Sequence, residues 1–505
     1  MEKFIWRAAV VWLVWLTLPT FVRAQYVYTT ANGQVTITQY TGTGGNVTIP
    51  DSTNGFPITT VASGAFFQVV GLTNVTFGTN VGIIAGDAIF QCVNITNVNL
   101  PASVTNIGSG PFLDCKSLVS IFVNTNNTHF TNVGVVLFDK ALDTVVQFPG
   151  GLTNSYTLPA TVTSVGESFI GNSLSNIMVN SANTVFTNLG VALVTKDFKQ
   201  LWAYPGTARG SYSVPTNINF IISAAFEYST GVTNIFIPTN TTSIGGLAFF
   251  DCANLQAITV APTNSFFSST NGVLFDKGYK MLIQYPCAAT GSYAVPNTCT
   301  NIEVGAFGDA VFLSGVFMPN GVTNIDIQAF YGCTNLTVVI PGTNLISIGQ
   351  QAFFLCTRLP GIVFPPAVKS LGQYAFGGCF SLTSACFEGS PPTDGGSVFL
   401  ADNSLTSILH VSGATGWSGT YDGIFTAVCT ACTNAEPILG IARKGTNALV
   451  EWSSAFPGFT LLSTTNLVAP VNWSAETAVP VTINNLNVVT NDGRLSKKFY
   501  KLQSP

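Results

Sequence analysis

Residues Ala329–Leu336 read AFYGCTNL, and one unit later Ala352–Leu359 read AFFLCTRL. The phenylalanine of this A-F-x-x-C phrase recurs along the chain, and its successive positions differ by 24, 22, 57, 57, 23, 58, 23, 23 and 23. It stands at Phe66, Phe90, Phe112, Phe169, Phe226, Phe249, Phe307, Phe330, Phe353 and Phe376. A repeat unit with a period of 23 explains the short steps, and each long step equals one unit plus an insert that adds 34 or 35. Because one such unit cannot bury its apolar face alone, the repetition predicts a solenoid of about ten stacked coils.

Each unit also contains two short strand signals. The first, L-x-x-V-x-I, ends at a proline such as Pro101 or Pro319, which cannot donate a hydrogen bond to a sheet. The second, V-T-x-I-G, is closed by a glycine. The alternating apolar residues of both signals indicate strands that turn one face inward. The sequence therefore predicts a mainly β fold.

The three inserts are copies of one another. Residues 130–140, 186–193 and 267–277 share a phrase that runs from a phenylalanine through a glycine turn to an apolar strand. Each insert then reaches an aromatic residue followed by proline, and we predict that it forms a β-hairpin lengthening one coil. Asp139 and Asp276 stand at equivalent positions in two copies. A polar turn explains them better than a catalytic acid pair, because the two acids belong to different coils.

The composition excludes several classes of function. Of the 505 residues, 47% are hydrophobic and only 8% are charged, against about 25% charged in an average soluble domain. With 18 basic residues and a net charge of −4, the chain lacks the basic surface that nucleic acid requires. The only histidines, His129 and His410, make histidine-based catalysis and catalytic zinc sites improbable. We therefore expect no enzyme activity, no cofactor and no metal.

The segment 1–24 has the pattern of a signal peptide. Lys3 and Arg7 precede a short apolar stretch, Ala8–Leu18, and small residues stand at Val22 and Ala24 before a cleavage site. Past this segment no apolar run approaches the ~20 residues of a membrane-spanning helix, so we expect no transmembrane segment in the mature chain. The predicted organisation is a signal peptide (1–24), an N-terminal cap hairpin that includes Asn46–Pro50 (25–60), the solenoid (61–379), a C-terminal cap and linker (380–432), and a small β-sandwich (438–505).

The repeat phrases resemble the BspA-like leucine-rich repeat family of secreted bacterial proteins, over roughly residues 30–428. The resemblance implies a leucine-rich repeat solenoid, related to the α-β horseshoe, on the cell surface or released, and a role in binding or adhesion. Cys92 departs from the family phrase by standing one residue early. The C-terminal segment is loosely similar to fibronectin type III modules, although its pattern fits any small antiparallel sandwich.

The residue before the last position of the first strand signal should face outward, because side chains alternate along a strand. In several coils it is large and apolar, namely Phe122, Met178, Phe236 and Phe317. Contiguous apolar residues on an outer face indicate a ligand-binding patch. The alternative is that the insert hairpins fold over this face, since Phe122 and Met178 each directly precede an insert.

Six of the eleven cysteines fall at or beside the repeat's cysteine position, where burial as small apolar residues explains them. Cys287 and Cys299 are close in sequence, on either side of one predicted hairpin, and could form a disulfide in an oxidising compartment. Cys429 and Cys432 have the C-x-x-C spacing of redox and zinc sites, but no second pair accompanies them. A small disulfide staple between domains is therefore favoured over a metal or redox site at these cysteines.

The sequence thus predicts an exported, non-enzymatic binding or adhesion protein, secreted or at the cell surface. Its partner would be an extracellular protein or polysaccharide, recognised through the long surface that a solenoid offers. The alternative is a self-associating structural component of the cell envelope or extracellular matrix. The oligomeric state does not follow from the sequence.

Overall fold

The structure is a computed structural model. It describes residues 25–153, 155–165, 173–429 and 432, and beyond them the segments 440–444, 447–453, 460–464, 474–475, 480–483, 486–492 and 499–503. The predicted signal peptide and Phe169 lie outside the described residues. Within those ranges every regular element is a β-strand, and no helix is present that could span a membrane.

The chain divides into two compact units, residues 1–141 and 142–505. The first unit contains β1 (Tyr26–Ala31), β2 (Gln34–Tyr40), β3 (Gly45–Thr48), β4 (Ser52–Thr53), β5 (Phe56–Val61), β6 (Leu72–Thr76), β7 (Ile83–Ile84), β8 (Asn97–Leu100), β9 (Asn106–Ile107), β10 (Ser120–Val123), β11 (Phe130–Val133) and β12 (Val136–Asp139). Its long strands pair in parallel in the order β3, β6, β8, β10, and its short strands in the order β2, β5, β7, β9. Each coil thus adds one strand to each of two parallel sheets.

The second unit continues the same pattern. Its solenoid strands are β13 (Thr144–Gln147), β14 (Tyr156–Leu158), β15 (Ser164–Val165), β16 (Ile177–Val179), β17 (Phe186–Leu189), β18 (Ala192–Thr195), β19 (Gln200–Ala203), β20 (Gly210–Ser213), β21 (Phe220–Ile221), β22 (Val232–Ile237), β23 (Ser243–Ile244), β24 (Ala257–Val260), β25 (Phe267–Thr270), β26 (Val273–Asp276), β27 (Met281–Gln284), β28 (Gly291–Ala294), β29 (Asn301–Ile302), β30 (Leu313–Phe317), β31 (Asn324–Ile325), β32 (Val338–Ile340), β33 (Ser347–Ile348), β34 (Gly361–Phe364), β35 (Ser370–Leu371), β36 (Ser384–Phe387), β37 (Thr393–Asp394), β38 (Ile408–Val411), β39 (Thr420–Tyr421) and β40 (Ile424–Cys429). Equivalent repeat positions pair in register, as at Ile302, Ile325, Ile348 and Leu371. Over both units the strands make an all-β solenoid of about 16 turns.

The A-F-x-x-C phrase forms the third side of each coil. Its backbone bonds to the next coil, as in Phe330 N–H to Ala352 O (2.7 Å) and Gly332 N–H to Phe354 O (2.8 Å). Two residues around the phenylalanine adopt left-handed backbone, for example Gln328 (φ 55°) and Gly332 (φ 68°). This side therefore carries hydrogen bonds between coils like the two sheets.

Stacked phenylalanines fill the interior of the coils. The rings of Phe307, Phe330, Phe353 and Phe376 follow one another at centroid distances of 4.6, 4.8 and 5.0 Å and are nearly parallel. Beside them each repeat cysteine donates its thiol to a buried backbone carbonyl of the preceding coil, as Cys356 does to Phe330 O (3.3 Å) and Cys115 to Ile89 O (3.3 Å). The six repeat cysteines are therefore all buried and free.

The position assigned to Phe90 is corrected by the structure. Ile89 is completely buried in the stack, whereas Phe90 is partly exposed and its ring stacks on Phe67 at 5.6 Å. Counted through Ile89, the two steps from Phe66 to Phe112 become equal and match the period of the other short steps. Cys92 is then in register, and its thiol donates to the carbonyl of Phe66 at 2.9 Å.

The inserts are larger than hairpins, so the prediction of about ten coils was too low. Each insert holds an antiparallel hairpin (β11–β12, β17–β18 or β25–β26) and also a further coil. The aromatic residue before proline takes the phenylalanine position of that coil. Tyr204 stacks on Phe226 at 5.0 Å, and Tyr285 stacks on Phe307 at 4.9 Å.

The hairpin β25–β26 also separates two hydrophobic cores. Leu274 packs into the core that precedes it, whereas Val273 and Phe275 pack into the core that follows. The sheet of short strands ends at β23 and that of long strands at β24; the hairpin itself begins the next sheet of short strands, and the long strands resume at β28.

The two ends of the solenoid differ from the predicted arrangement. The N-terminal hairpin joins β1 and β2, and Asn46–Ile49, expected as one of its arms, instead contributes β3, which runs parallel to β6. The stacking also continues into 380–432, where Phe399 lies 5.7 Å from Phe376 and Asp402 takes the cysteine position. Trp417 then packs against Phe387 at 5.0 Å.

The C-terminal segment contains two antiparallel sheets. One has the order β41 (Gly440–Lys444), β42 (Asn447–Ser453), β46 (Leu486–Asp492), β45 (Val481–Ile483), and the other β44 (Ser474–Ala475), β43 (Thr460–Thr464), β47 (Phe499–Gln503). Val450 and Val489 of the first sheet cluster with Leu461 of the second. The β-sandwich and its likeness to fibronectin type III stay predictions.

Candidate binding surfaces

The outer face of the long strands was predicted to present an apolar patch. Phe122, Met178 and Phe236 are exposed there, at 49%, 41% and 38% of their surface. Phe317 is only 6% exposed, so its assignment to an open ligand-facing patch is wrong. Phe122 lies in the first unit, and Met178 and Phe236 lie in different sheets of the second. Within the second unit, Met178 and Phe236 therefore do not share one sheet face.

Phe317 is buried because the chain covers this part of the outer face. Outward-facing Val363 and Cys386 are likewise only 8% and 2% exposed. Strand β41 contacts β28, whose Ala294 pairs in register with Phe317. The outward side chains of Phe317, Val363 and Cys386 are therefore not open to a ligand.

The insert hairpins do not cover the outer face. The N–H of Ile258 donates to Gly272 O (2.8 Å) and that of Val260 to Ser269 Oγ (3.0 Å). These two groups point away from β22, toward the edge of β24 where the next long strand would pair. The hairpin therefore caps the edge of the sheet, which leaves residues such as Met178 open.

A buried asparagine fixes the start of each hairpin. Asn264 is 1% exposed; its amide donates to Pro238 O (2.7 Å) and Thr241 O (2.9 Å), and its carbonyl accepts the N–H groups of Phe266 and Phe267 (both 2.8 Å). Asn127 and Asn183 make the same four contacts in the other inserts. The sequence signal, an asparagine three positions before the insert phenylalanine, was missed.

An aromatic and amide cluster lies on the outer face of the short strands. Gln200 and Trp202 face outward from β19, and the Trp202 indole donates to Gln200 Oε1 at 3.1 Å. Phe220 of β21 pairs in register with Gln200 and is 43% exposed. Ser243 follows on β23. We call these four uncharged side chains the β19–β23 cluster. It places the exposed ring of Phe220 beside the amide of Gln200 and the hydroxyl of Ser243.

A family model for the BspA type leucine rich repeat region matches the chain in six copies, over residues 44–154, 203–274 and 284–409. These segments make up about three fifths of the sequence. The chain belongs to this family. The BspA-type repeats thus include the coils that hold Phe122, Phe220 and Phe236.

Three solved structures are similar to this BspA-type protein. A leucine rich cell surface protein from Faecalibacterium prausnitzii A2-165 is 23% identical, with 78% of this chain and 95% of that chain covered and a TM-score of 0.39. The pneumococcal vaccine antigen PcpA is 17% identical (81% and 93% covered, TM-score 0.38). A leucine-rich repeat protein from Bacteroides ovatus ATCC 8483 is 20% identical (81% and 100% covered, TM-score 0.28). No curated protein matches the sequence.

The buried free cysteines of this BspA-type protein are unreactive. The three cysteines near the C-terminal end of the solenoid, Cys386, Cys429 and Cys432, are paired differently from the prediction. Burial raises the pKa of Cys92 to about 12 and that of Cys299 to about 11, so both thiols stay protonated. Cys287 and Cys299 are free, and each thiol donates to a backbone carbonyl. Cys432 forms its disulfide with Cys386 of β36, which leaves Cys429 free.

The acids also have structural surroundings. Asp276 accepts backbone N–H groups of Gly278 (3.2 Å) and Met281 (2.7 Å), as expected of a polar turn. Burial at the cysteine position raises the pKa of Asp402 to about 7, and the charge of nearby Asp422 adds to the rise. The Asp402 carboxyl is therefore partly neutral near pH 7.

Proposed function

We propose that this BspA-type protein is an exported, non-enzymatic binding protein that attaches to an extracellular polysaccharide or protein through aromatic side chains on its strands. The observation that carries the proposal is the β19–β23 cluster, where exposed Phe220 lies beside outward-facing Gln200. Strands of a stacked solenoid hold such side chains in fixed positions, which lowers the entropy cost of binding.

The chemistry of the cluster suits a neutral ligand with both apolar and polar faces. The phenylalanine ring offers an apolar surface, and the Gln200 amide and Ser243 hydroxyl offer donors and acceptors beside it. No charged side chain takes part, in keeping with a chain in which only 8% of residues are charged. Sugar rings and uncharged protein segments have this combination of faces.

Phe122, Met178 and Phe236 are proposed as further contact points on the outer face of the long strands. Phe236 pairs in register with Ser213 and Thr259, so it too is an apolar ring among hydroxyl groups. A long partner that touches several such points gains affinity through many weak contacts.

Export is supported by the signal-peptide pattern of residues 1–24. We place the mature protein outside the cell, secreted or at the surface. The small β-sandwich proposed for 438–505 would then be a separate extracellular module.

Arrays of glycans and matrix proteins probed with the full exported chain test the proposal. Phe220→Ser should weaken the strongest interaction about tenfold or more, the loss of roughly 1.4 kcal/mol of binding free energy. Phe380→Ser is the matched control, because Phe380 is 54% exposed and lies outside the cluster.

Unchanged affinity in both Phe220→Ser and Phe236→Ser, with normal circular dichroism, would refute the proposal. Light scattering separates the alternative function. If the chain binds only copies of itself, and Phe220→Ser abolishes that association, the protein is a structural component of the envelope or matrix instead.

A further inference from the structure

Three cysteines converge at the C-terminal end of the solenoid. Cys386 on β36 forms a disulfide with Cys432, and their Cα atoms are 5.6 Å apart. The sulfur of Cys429, the last residue of β40, lies 3.5 Å from the sulfur of Cys386. All three sulfur atoms lie within 4.8 Å of one another. A free thiol thus contacts one specific sulfur of an existing disulfide.

The three positions differ in accessibility and in freedom to move. Cys386 is 2% exposed in the middle of a strand, whereas Cys429 and Cys432 are half-buried. Cys429 ends β40, where its carbonyl accepts one hydrogen bond from Ser412 N–H (3.0 Å). The end of a strand can shift more easily than its middle. Cys386 is therefore the fixed sulfur, and the other two are alternative partners for it.

We propose that Cys386 is a shared disulfide partner that exchanges between Cys432 and Cys429. The Cys429 thiol loses its proton to solvent, and the thiolate attacks Cys386 Sγ. The Cys386–Cys432 bond breaks, and its electron pair leaves on Cys432 Sγ, which takes up a proton. One disulfide and one thiol exist before and after, so the step requires no oxidant or reductant.

The exchange changes how the C-terminal segment is held. In the structure, the covalent attachment to β36 is at residue 432, next to the segment that leads to β41. After exchange the attachment is at residue 429, and the chain beyond it gains three residues, about 10 Å of reach. Cys432 then becomes a free thiol that can form a mixed disulfide with a thiol-bearing molecule outside the cell.

Alkylation of the intact, undenatured chain tests this inference independently of the proposed binding function. Iodoacetamide at pH 8, followed by acid quenching and peptide fragmentation in a mass spectrometer, should label both Cys429 and Cys432 and leave Cys386 unlabelled. The buried repeat cysteines stay unlabelled while the fold is intact, which provides the internal control.

Two variants complete the test. Cys429→Ser should abolish the label on Cys432, and Cys432→Ser should yield a Cys386–Cys429 disulfide. The inference is overturned if wild-type protein is labelled at Cys429 alone and Cys432→Ser leaves both remaining thiols free. It is also overturned if all three cysteines label and one zinc ion per chain is released, since three thiolates at this spacing would then be a metal site. If Cys432→Ser does not fold, the label on Cys432 in the wild type and its loss in Cys429→Ser still test the exchange.

Discussion

Replacing Asn264 by alanine should destabilise the protein more than any change to an exposed asparagine. The side chain is buried and makes four hydrogen bonds of 2.7 to 2.9 Å, two as donor and two as acceptor. Each such bond contributes about 1 kcal/mol net, and the partners left behind are buried backbone groups. Asn264→Ala should therefore lower the free energy of unfolding by about 4 kcal/mol.

Urea denaturation followed by circular dichroism measures the effect, with Asn254→Ala as the matched control. The Asn254 side chain is exposed and donates one hydrogen bond, to Thr230 O at 2.7 Å, so its loss should cost about 1 kcal/mol or less. A third variant, Asn264→Asp, keeps the shape but turns a carboxylate oxygen toward the carbonyls of Pro238 and Thr241. At pH 7 it should be at least as unstable as Asn264→Ala.

Equal unfolding free energies for Asn264→Ala and Asn254→Ala would refute the reasoning. Such a result would mean that water replaces the four bonds without cost. Hydrogen exchange of residues 257–276 locates the change, because the hairpin should lose protection before the neighbouring coils.

Three further predictions concern stability. Asp402→Asn should raise the free energy of unfolding at pH 8 and leave it nearly unchanged at pH 4. The pKa of Asp402 is about 7 in the folded chain and 3.8 in the unfolded one, so the stability that the neutral carboxyl gives the fold is complete below pH 3.8 and is lost as the pH rises through 7. A larger gain at pH 4 than at pH 8 would contradict this reasoning. Gly308→Ala should destabilise the folded protein by about 1–3 kcal/mol, because the added Cβ would lie 2.2 Å from the Phe250 ring. In thermal melting, adding Phe250→Leu should restore part of the lost stability. If it restores none, this clash is not the cause. Ile89→Ala should lower the free energy of unfolding, measured by urea denaturation, by about 2–4 kcal/mol, and Phe90→Ala should lower it less. The reverse order would show that Phe90, and not Ile89, lies in the buried stack.

Much of the fold could be predicted because the repeat places the same residue types at the same positions in every coil. The parallel pairing of Ile302, Ile325 and Ile348 follows directly from their equal spacing of one repeat unit. The repeat did not show which of two neighbouring apolar residues occupies the buried stack. Phe90 matched the residue type of the stack, whereas Ile89 matched its position, and backbone register decides which of the two is buried.

The inserts were underestimated because their coils lack the cysteine of the phrase. Tyr285 is followed by Pro286, and a tyrosine before proline suggested only a turn. The revealing signal was the spacing, because the distance in sequence from Tyr285 to Phe307 is close to one complete unit.

Surface properties were harder to predict than the core. The alternation along β30 correctly pointed Phe317 outward, but its burial reflects contacts made by residues distant in the sequence. The C-x-x-C spacing likewise indicated a disulfide staple near Cys432 but not its partner, Cys386, which lies 46 residues earlier in the sequence. Contacts between distant segments depend on how the chain folds back, which a periodic pattern does not record.

The hairpin β25–β26 has a mechanical consequence when the chain is pulled along the stack of coils. At this level the sheets of the preceding coils stop and two cores meet. The hairpin is joined to β24 by one backbone bond at Ile258 and one side-chain bond at Val260, and Asn264 and the N–H of Ala288 add isolated bonds to the preceding coils. Under tension along the stack, a joint of this kind yields before a ladder of many parallel bonds. We expect the chain to lengthen in steps that begin at such joints, so that intact blocks of coils survive a pull and reassemble when the load is removed.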